Sequence, residues 1–243
     1  MNLIIVQARN GSQRLPFKSS LSIAGHPVLI HVIERIKKII NDEYKVIVAT
    51  STNTEDEPLF NLCVTNQIEC FRGDPLNVFS RYKFLVKKLN PEYVIRITGD
   101  CPLIYSPDII NILSIMKTDN SIDYGTNTIK RTFPKGFDIE IFKPEIILSH
   151  TNVSDKDKEH VTPFMYESGD FKVFSYENKV DYSDLRFTID TYVDFLLIDK
   201  VINTWINKSD KNNVFDLLDQ NLLLQILNEN QDINRLHIES KKI

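Results

Sequence analysis

The sequence predicts an α/β fold in which a mainly parallel, twisted sheet carries helices on both faces. Short apolar runs typical of buried strands alternate with helical segments over about the first 120 residues. The 243 residues, 42% hydrophobic and 26% charged, have the composition of an ordinary globular protein. Polar loops follow three of the apolar runs, as they do where parallel strands end at a ligand-binding edge.

Four apolar runs predict the strands of the first half, at residues 3–6, 45–50, 68–71 and 93–98. Helical spacing of apolar residues predicts helices at 27–40 and 77–89, and a third helix is expected to begin near Glu55. A fourth helix is expected at Ser106, with Ser106 as its N-cap and Pro107 in its first turn. In a parallel sheet, the loops 7–18, 51–54 and 99–102 would then meet at one edge.

The second half is less regular and is expected to complete the same sheet and cover its ligand edge. Strands are predicted at 138–142, 171–176 and 185–189, a strand end at 123–127, and helices around Pro163, at 192–205 and at 214–228. The polar tail 235–243 is expected to fray. We expect one domain over residues 1–243, comprising a nucleotide-binding half (1–120), a substrate-side half (121–205) and a C-terminal helical tail (206–243).

Charge and cysteine content favour a small-molecule ligand in a reducing compartment. A formal net charge of -4 argues against nucleic acid as the main partner. Three cysteines without C-x-x-C spacing suggest neither a disulfide framework nor a zinc site, which fits a cytoplasmic location. The first residues lack the features of a secretory signal, and no run approaches the ~20 apolar residues of a membrane span.

The loop after the first strand has the residue types that bind a nucleotide triphosphate. One arginine can donate two parallel hydrogen bonds to phosphate oxygens, and glycine lets backbone N–H groups approach those oxygens. The Walker A spacing is absent because it would need glycine at Phe17, and no G-x-G-x-x-G is present. A solvated basic loop is the alternative, but the position directly after a buried strand favours phosphate binding. The loop residues concerned are Arg9, Gly11, Ser12, Arg14 and Lys18.

An aspartate follows the fourth strand, in Gly99-Asp100-Cys101-Pro102. A carboxylate at a strand end opposite a basic loop can hold Mg²⁺ while the loop holds the phosphates. A helix-capping role explains such an aspartate equally well on spacing alone.

Residues 6–18, V-Q-A-R-N-G-S-Q-R-L-P-F-K, resemble the signature loop of the sugar cytidylyltransferases. These include the ketodeoxyoctonate and acylneuraminate cytidylyltransferases and, above all, the spore coat polysaccharide biosynthesis protein F family, which usually has glycine where this chain has Phe17. Four further elements, at 99–102, 133–142, 159–163 and 185–191, occur in family order. The resemblance covers about residues 1–200 and implies the Rossmann-like architecture of the nucleotide-diphospho-sugar transferases.

The resemblance also implies roles for individual residues. Arg14, Lys18 and Asp100 would be catalytic, and Asp100 and Asp190 would bind Mg²⁺, although Asp190 is also placed to cap a helix. The residues expected to bind CTP are Ala8, Arg9, Asn10, Gly11, Ser12, Arg14, Lys18, Thr52, Arg72 and Gly99.

The residues expected to bind the acceptor substrate are Asp138, Glu140, His160 and Thr162. His160 would act as a donor or base, although a lone histidine is as often a hydrogen-bonded, half-buried residue. Alternate residues of a strand face opposite ways, so only one of Asp138 and Glu140 is expected to point into the site. Arg81 is a weaker candidate near the nucleotide.

The sequence is therefore interpreted as a Mg²⁺-dependent cytidylyltransferase. It would couple CTP to a sugar acid, a sugar phosphate or another phosphorylated small molecule, with release of pyrophosphate, in surface polysaccharide or capsule biosynthesis. A homodimer is expected, as is common among related enzymes. Three alternatives remain: another nucleotide, a non-catalytic nucleotide-binding subunit, or a nucleotide-sugar glycosyltransferase, although the Asp-x-Asp motif typical of that class is absent at 99–102.

Overall fold

The computed structural model describes residues 1–210 and 212–242, and its centre is a seven-stranded sheet in the order β5-β4-β1-β6-β8-β7-β9. A separate two-stranded ribbon is formed by β2 and β3. In chain order the strands are β1 (Asn2–Gln7), β2 (Ser22–Ile23), β3 (His26–Pro27), β4 (Tyr44–Ser51), β5 (Cys70–Gly73), β6 (Val94–Thr98), β7 (Tyr124–Thr126), β8 (Glu140–Phe142) and β9 (Val173–Ser175).

The predicted mainly parallel sheet is confirmed. Strands β5, β4, β1 and β6 run parallel, β8 pairs antiparallel with both β6 and β7, and β9 is parallel to β7. Because β1, β4 and β6 share a direction, the loops that follow them lie at the same edge of the sheet. The second half of the chain completes this same sheet rather than forming one of its own.

Helices cover both faces of the sheet because alternate side chains of the buried strands point to opposite sides. Ile4 and Val6 belong to a core cluster with α1, α2 and α4, and Leu3 and Ile5 belong to another with α3, α5 and α7. The helices are α1 (Val28–Lys37), α2 (Glu57–Thr65), α3 (Val78–Leu89), α4 (Pro107–Thr118), α5 (Pro144–Ser149), α6 (Asp155–His160), α7 (Pro163–Glu167), α8 (Tyr192–Lys208), α9 (Gln220–Glu229) and α10 (Gln231–Ser240).

A third cluster lies where the C-terminal helices pack on the loops of the second half. It joins Leu197, Leu223 and Ile233 of α8, α9 and α10 to Phe137 and Phe187. The prediction that the polar tail 235–243 frays is therefore wrong for the described residues up to 240. They belong to α10, in which Ile233 and His237 are buried. Ile243 lies outside the described residues.

Three local predictions are also wrong. Residues 185–189 form no sheet strand, and a single bridge joins Lys135 to Arg186. The helix expected from residue 214 begins only at Gln220, where the Asp219 side chain accepts from the Leu222 N–H and caps it. Ser106 does not cap α4, because its hydroxyl donates to the Arg35 carbonyl. Over the described residues, no helix has both the length and the apolarity of a membrane span.

Candidate active site

The loop after β1 is held in place by the side chain and backbone of Asn10. The Asn10 N–H donates to Asp56 Oδ1 at 2.6 Å, and its carbonyl accepts from the N–H groups of Ser12 and Phe17. The Asn10 amide donates to the Glu55 carbonyl and accepts from the Ser20 hydroxyl. Asn10 is buried and bonded within the protein, so its observed contribution is to fix the loop, and Asp56 is a support that the sequence did not reveal.

Phe17 has the backbone conformation for which glycine is the usual residue. Its φ of 60° and ψ of 18° lie in the left-handed region, directly before the short 3₁₀ turn Lys18–Ser20. A glycine there avoids the steric cost of a Cβ, which explains why related loops place one at this position. The loop keeps its turn here with phenylalanine, and this turn sends the Lys18 side chain inward.

Lys18 joins the two predicted metal-binding aspartates. Its Nζ lies 2.6 Å from Asp100 Oδ2 and 3.0 Å from Asp190 Oδ1, and it also donates to the Ile189 carbonyl at 2.8 Å. Arg14 reaches the same Asp190 oxygen at 3.1 Å. Residues far apart in the sequence therefore meet at one point beyond the ends of β1 and β6.

Burial and charge shift the pKa values of this cluster in opposite directions. Burial would lower the pKa of Lys18, but the carboxylates of Asp100 and Asp190 raise it above its usual range. Burial would raise the pKa of Asp190, but Lys18, Arg186 and Arg14 bring it below its usual range. Lys18 is therefore protonated and Asp190 charged at neutral pH, and the two form an ion pair.

The segment that carries Asp190 is fixed by Arg186 and Asp194. Arg186 donates to Asp190 Oδ2 at 3.0 Å and to Asp194 Oδ1 at 2.9 Å. Asp194 forms a capping box with Thr191 at the start of α8, and its Oδ2 also accepts from the Asp190 N–H. Capping is thus done by Thr191 and Asp194, which leaves the Asp190 carboxylate directed at the lysine. Arg186 and Asp194 support the site, and the spacing R-x-x-x-D-x-x-x-D in the sequence was the available signal.

Gly99 lets β1 and β6 come close where their loops begin. Its N–H donates to the Gln7 carbonyl at 2.8 Å. A Cβ on Gly99 would lie 2.7 Å from Ala8 Cβ, which is too short for any real contact. The glycine therefore contributes backbone packing that brings Asp100 beside the Arg9–Lys18 loop.

A cavity of about 1010 Å³ lies over these residues. One wall carries the loop after β1, and the opposite wall carries α6 and the segment after β5. Of the residues predicted to bind nucleotide, acceptor or metal, those lining it are Ala8, Arg9, Gly11, Ser12, Arg14, Lys18, Asp100, His160 and Asp190.

Among the described residues, two arginines of this cavity make no ion pair with a carboxylate. Within the described part of the chain, the Arg9 guanidinium makes no hydrogen bond or ion pair. Arg81 is buried and donates to the carbonyls of Asp74 and Pro75 at 3.0 and 3.2 Å, with no carboxylate in direct contact. Burial lowers the pKa of Arg81, the nearby carboxylate of Asp56 partly opposes this shift, and the charge of Arg9 lowers the pKa further. Two neighbouring cations that repel each other in a cavity are what a polyanionic ligand would stabilise.

The carboxylate pair fits what Mg²⁺ requires. Asp100 and Asp190 already share one cation, the Lys18 ammonium, at distances of 2.6 and 3.0 Å. Over residues 1–210 and 212–242, no group of three or more His, Cys, Asp or Glu side chains is arranged to hold a metal ion. Two carboxylates with phosphate and water oxygens are the usual protein-bound environment of Mg²⁺ at nucleotide sites. The remaining ligands at this site would come from a nucleotide and water.

Thr52 and Arg72 lie outside the lining of the cavity. Thr52 is exposed, and its N–H donates to the Gly73 carbonyl in the turn after β4. Arg72 donates to the carbonyls of Ser51 and Asn53 and pairs with Glu57. Because its donors are engaged by the protein, Arg72 holds the turn after β4 together.

Three of the four residues predicted to bind the acceptor are also outside the lining. Asp138 is held by Arg131 through two bonds, at 2.6 and 3.0 Å. Glu140 is buried and pairs with Arg96, and it accepts from the Thr162 hydroxyl at 2.8 Å. One of Asp138 and Glu140 was expected to point into the site, but neither lines the cavity. Of this group, His160 alone is placed there.

Comparison with known proteins agrees with this geometry. A family model described as "Cytidylyltransferase" matches residues 3–192. Spore coat polysaccharide biosynthesis protein F of Bacillus subtilis is 27% identical over 169 residues, which are 67% of this chain and 69% of that protein. A protein of Methanocaldococcus jannaschii is 32% identical over 93% of both chains.

Solved structures lead to the same family. The structure of a cytidylyltransferase from Leptospira borgpetersenii matches with a TM-score of 0.83 and 30% identity, and the match covers 96% of this chain and 95% of that one. The matched family region includes the loop after β1, Asp100 and Asp190. The chain therefore belongs to the cytidylyltransferase family, whose members are CTP-dependent nucleotidyltransferases, and it is similar to the spore coat polysaccharide F proteins within it.

Proposed function

We propose that this enzyme transfers the cytidylyl group of CTP, with Mg²⁺, to an anionic small molecule. The acceptor would be a sugar acid, a sugar phosphate or another phosphorylated compound. The observation that carries the proposal is the arrangement of the cavity, where two arginines with no ion pair among the described residues lie near two carboxylates that share one cation. A metal-bound triphosphate complements both halves of that arrangement.

The reaction would be an in-line displacement at phosphorus. An oxygen of the acceptor forms a bond to the α-phosphorus of CTP, the bond from that phosphorus to the bridging oxygen breaks, and pyrophosphate leaves with the electron pair. An ionised phosphate oxygen attacks without loss of a proton, and a hydroxyl acceptor would release its proton to water. When bound, Mg²⁺ would neutralise charge on the phosphates. No covalent intermediate with the protein is required, so positioning and charge stabilisation supply the rate.

Each cation of the loop after β1 has a distinct part in this scheme. Arg9 lines the cavity without a hydrogen-bond or ion-pair partner in the described part of the chain, and it would bind phosphate oxygens of the triphosphate. Arg14 is mostly exposed and, among the described residues, pairs with Asp190 alone, so it can turn to the leaving pyrophosphate at low cost. Lys18 would stabilise charge on the phosphate that is attacked, while Asp100 and Asp190 would hold the metal ion.

The class of acceptor is supported by the opposite wall of the cavity. His160 lies there, and its imidazole can donate to a carboxylate or phosphate, whereas the neighbouring Lys158 is paired with Asp155 at 2.8 Å. Asp155 and Glu159 also line this wall, so the anionic group of the acceptor is assigned to His160 and not to the wall as a whole. The pathway proposal, surface polysaccharide biosynthesis, is supported by the similarity to the spore coat protein of Bacillus subtilis. The homodimer expected from the resemblance stays a prediction, which light scattering at several protein concentrations would test.

The test is a pyrophosphate-release screen. The enzyme would be incubated with Mg²⁺, with each of CTP, UTP, GTP and ATP, and with panels of sugar acids, sugar phosphates and phosphorylated amino-acid derivatives. The proposal expects pyrophosphate with CTP and at least one anionic acceptor. Pyrophosphate with another nucleotide alone, release of a nucleoside diphosphate, or CTP binding without turnover on all panels would each contradict it.

A further inference from the structure

The backbone is strained at one cavity wall, directly after His160. Val161 has φ of 72° and ψ of -50°, and the Thr162 N–H donates to the His160 carbonyl at 2.9 Å. These values describe a γ-turn of the rare, strained form. For a β-branched residue such a conformation is an outlier, and strain of this kind persists only where the surrounding structure enforces it.

The valine side chain supplies one of the forces that hold this turn. Val161 is fully buried in the core cluster that contains Phe79, Ile146 and Met165. Its N–H also donates to the Asp157 carbonyl at 2.8 Å, so the turn is joined to the end of α6. A glycine would adopt this backbone with less strain, but it would lose the buried side chain that anchors the turn.

A buried polar network supplies the other force. The Thr162 hydroxyl and the Tyr124 hydroxyl each donate to Glu140 Oε1 at 2.8 Å. Glu140 pairs through its other oxygen with Arg96, which lies directly opposite it in the β6–β8 ladder. Burial would lower the pKa of Arg96, but the Glu140 carboxylate raises it, so the guanidinium stays charged. The turn is thereby bonded to the centre of the sheet.

The residue presented by this turn is His160. Its side chain is exposed and lines the cavity on the wall opposite the loop after β1. In the portion of the chain that is described, its imidazole has no hydrogen-bond or ion-pair partner. A polar side chain without a partner, placed in a cavity by a strained and firmly bonded turn, has the features of a preorganised ligand-binding group.

We propose that His160 binds the anionic group of the acceptor and that Glu140 and Thr162 are positioning residues that act through the Val161 turn. This deepens the proposed function and rests on it. The ligand chemistry is a phosphate or carboxylate oxygen that accepts a hydrogen bond from the imidazole. Glu140 thus serves the acceptor indirectly, without touching it.

Two matched variants separate positioning from simple stability. Thr162→Val and Tyr124→Phe each remove one buried hydroxyl that donates to the same oxygen of Glu140 at the same distance. Only Thr162 belongs to the turn that carries His160. Thr162→Ser keeps the hydroxyl and serves as the rescue variant, and thermal unfolding of all variants measures the loss of stability that any buried hydroxyl would cause.

The probes are inorganic phosphate and acetate, which stand for the two acceptor classes. They would be titrated into protein saturated with Mg²⁺ and the α,β-methylene analogue of CTP, which cannot release pyrophosphate. The imidazole signals of His160, assigned by their loss in His160→Asn, report binding in NMR spectra. We expect one anion to shift these signals and to bind about tenfold more weakly in Thr162→Val. Tyr124→Phe and Thr162→Ser are expected to bind that anion as the wild type does.

The same experiment distinguishes two failures. If the wild type does not bind the CTP analogue, the proposed function is wrong and the inference falls with it. If the analogue binds but neither anion shifts the His160 signals, or if Thr162→Val and Tyr124→Phe weaken the anion equally, the proposed function stands and the positioning role is wrong. Equal anion binding by His160→Asn and the wild type, compared by isothermal titration calorimetry because the variant lacks the reporter imidazole, would also overturn it.

Discussion

The two walls of the cavity use charged residues in different ways. On the wall formed by the loop after β1, Arg9 has no partner among the described residues, and Arg14 contacts only Asp190. Behind the opposite wall, Glu140 accepts from the Thr162 hydroxyl and is paired with Arg96. Asp138, outside the cavity lining, is paired with Arg131. The difference teaches that the loop after β1 leaves an arginine available to a ligand, whereas the charges of Glu140 and Asp138 are used within the protein.

The largest effect is expected from a comparison of Asp100 with Asp138. Asp100→Ala should lower turnover by ~10²-fold or more, since it removes half of the carboxylate pair and leaves Lys18 with one partner. Asp138→Ala is the matched control, because Asp138 is paired with Arg131 outside the cavity lining. Steady-state pyrophosphate release measures both, and near-normal turnover in Asp100→Ala would remove the metal assignment.

A tenfold effect is expected when two arginines are compared. Arg9→Ala should weaken CTP binding about tenfold or more, measured by isothermal titration, with little change in stability. Arg72→Ala should leave CTP binding unchanged and lower the free energy of unfolding by about 1–3 kcal/mol, since its donors hold the turn after β4. Weaker CTP binding by Arg72→Ala, with unchanged binding by Arg9→Ala, would instead place the nucleotide at Arg72.

Acid is expected to lower the free energy of unfolding through a histidine of the packed C-terminal region. Burial lowers the pKa of His237 to about 4, and its Nε2 accepts from the Arg186 N–H at 3.2 Å. The unfolded chain therefore binds a proton that the folded one rejects, so stability is present above about pH 6.5 and is lost as the pH falls toward 4. His31, whose pKa burial also lowers to about 4, adds to this loss.

Chemical denaturation of the wild type and His237→Gln across this pH range checks the prediction. The variant should lose less stability on acidification, by on the order of 1 kcal/mol. Parallel curves for the two proteins would show that His237 does not contribute.

The smallest effect is expected at Phe17. Phe17→Gly should raise the free energy of unfolding by at most about 1 kcal/mol, because glycine accepts the left-handed backbone and the phenyl ring is half exposed. Phe17→Ala, which keeps a Cβ at the same φ, is the control and should show no such gain. A loss of stability with glycine greater than with alanine would mean that the backbone at this position is not strained.

The N-terminal half was predictable because its signals are local. A buried apolar strand and the cations after it are adjacent in the sequence, so Arg9, Arg14 and Lys18 could be placed at the strand end before any contact was known. Asp190 was found only through the resemblance, since the residues before it form no regular strand. Its place beside Lys18 depends on a contact between residues 172 positions apart.

The pairing of charged residues outside the cavity lining could not be predicted, because residue type does not say whether a charge has a partner. Glu140 and Arg72 have the chemistry of ligand-binding residues, but Arg96 and Glu57 engage them. Those partnerships arise from strand register and from the turn after β4, which depend on tertiary structure. The burial of α10 was missed for a similar reason, since Ile233 and His237 gain their packing from α8, α9 and the Arg186 segment, which are distant contacts or depend on how the helices fold back.

The most direct test of the account is whether Mg²⁺ and nucleotide binding are linked through Asp100 and Asp190. The α,β-methylene analogue of CTP would be titrated calorimetrically into the wild type and into an Asp100→Asn, Asp190→Asn double variant, each with Mg²⁺ or with a chelator. We predict that Mg²⁺ tightens binding about tenfold or more in the wild type and has little effect in the double variant. An equal effect of Mg²⁺ in both proteins would contradict the account.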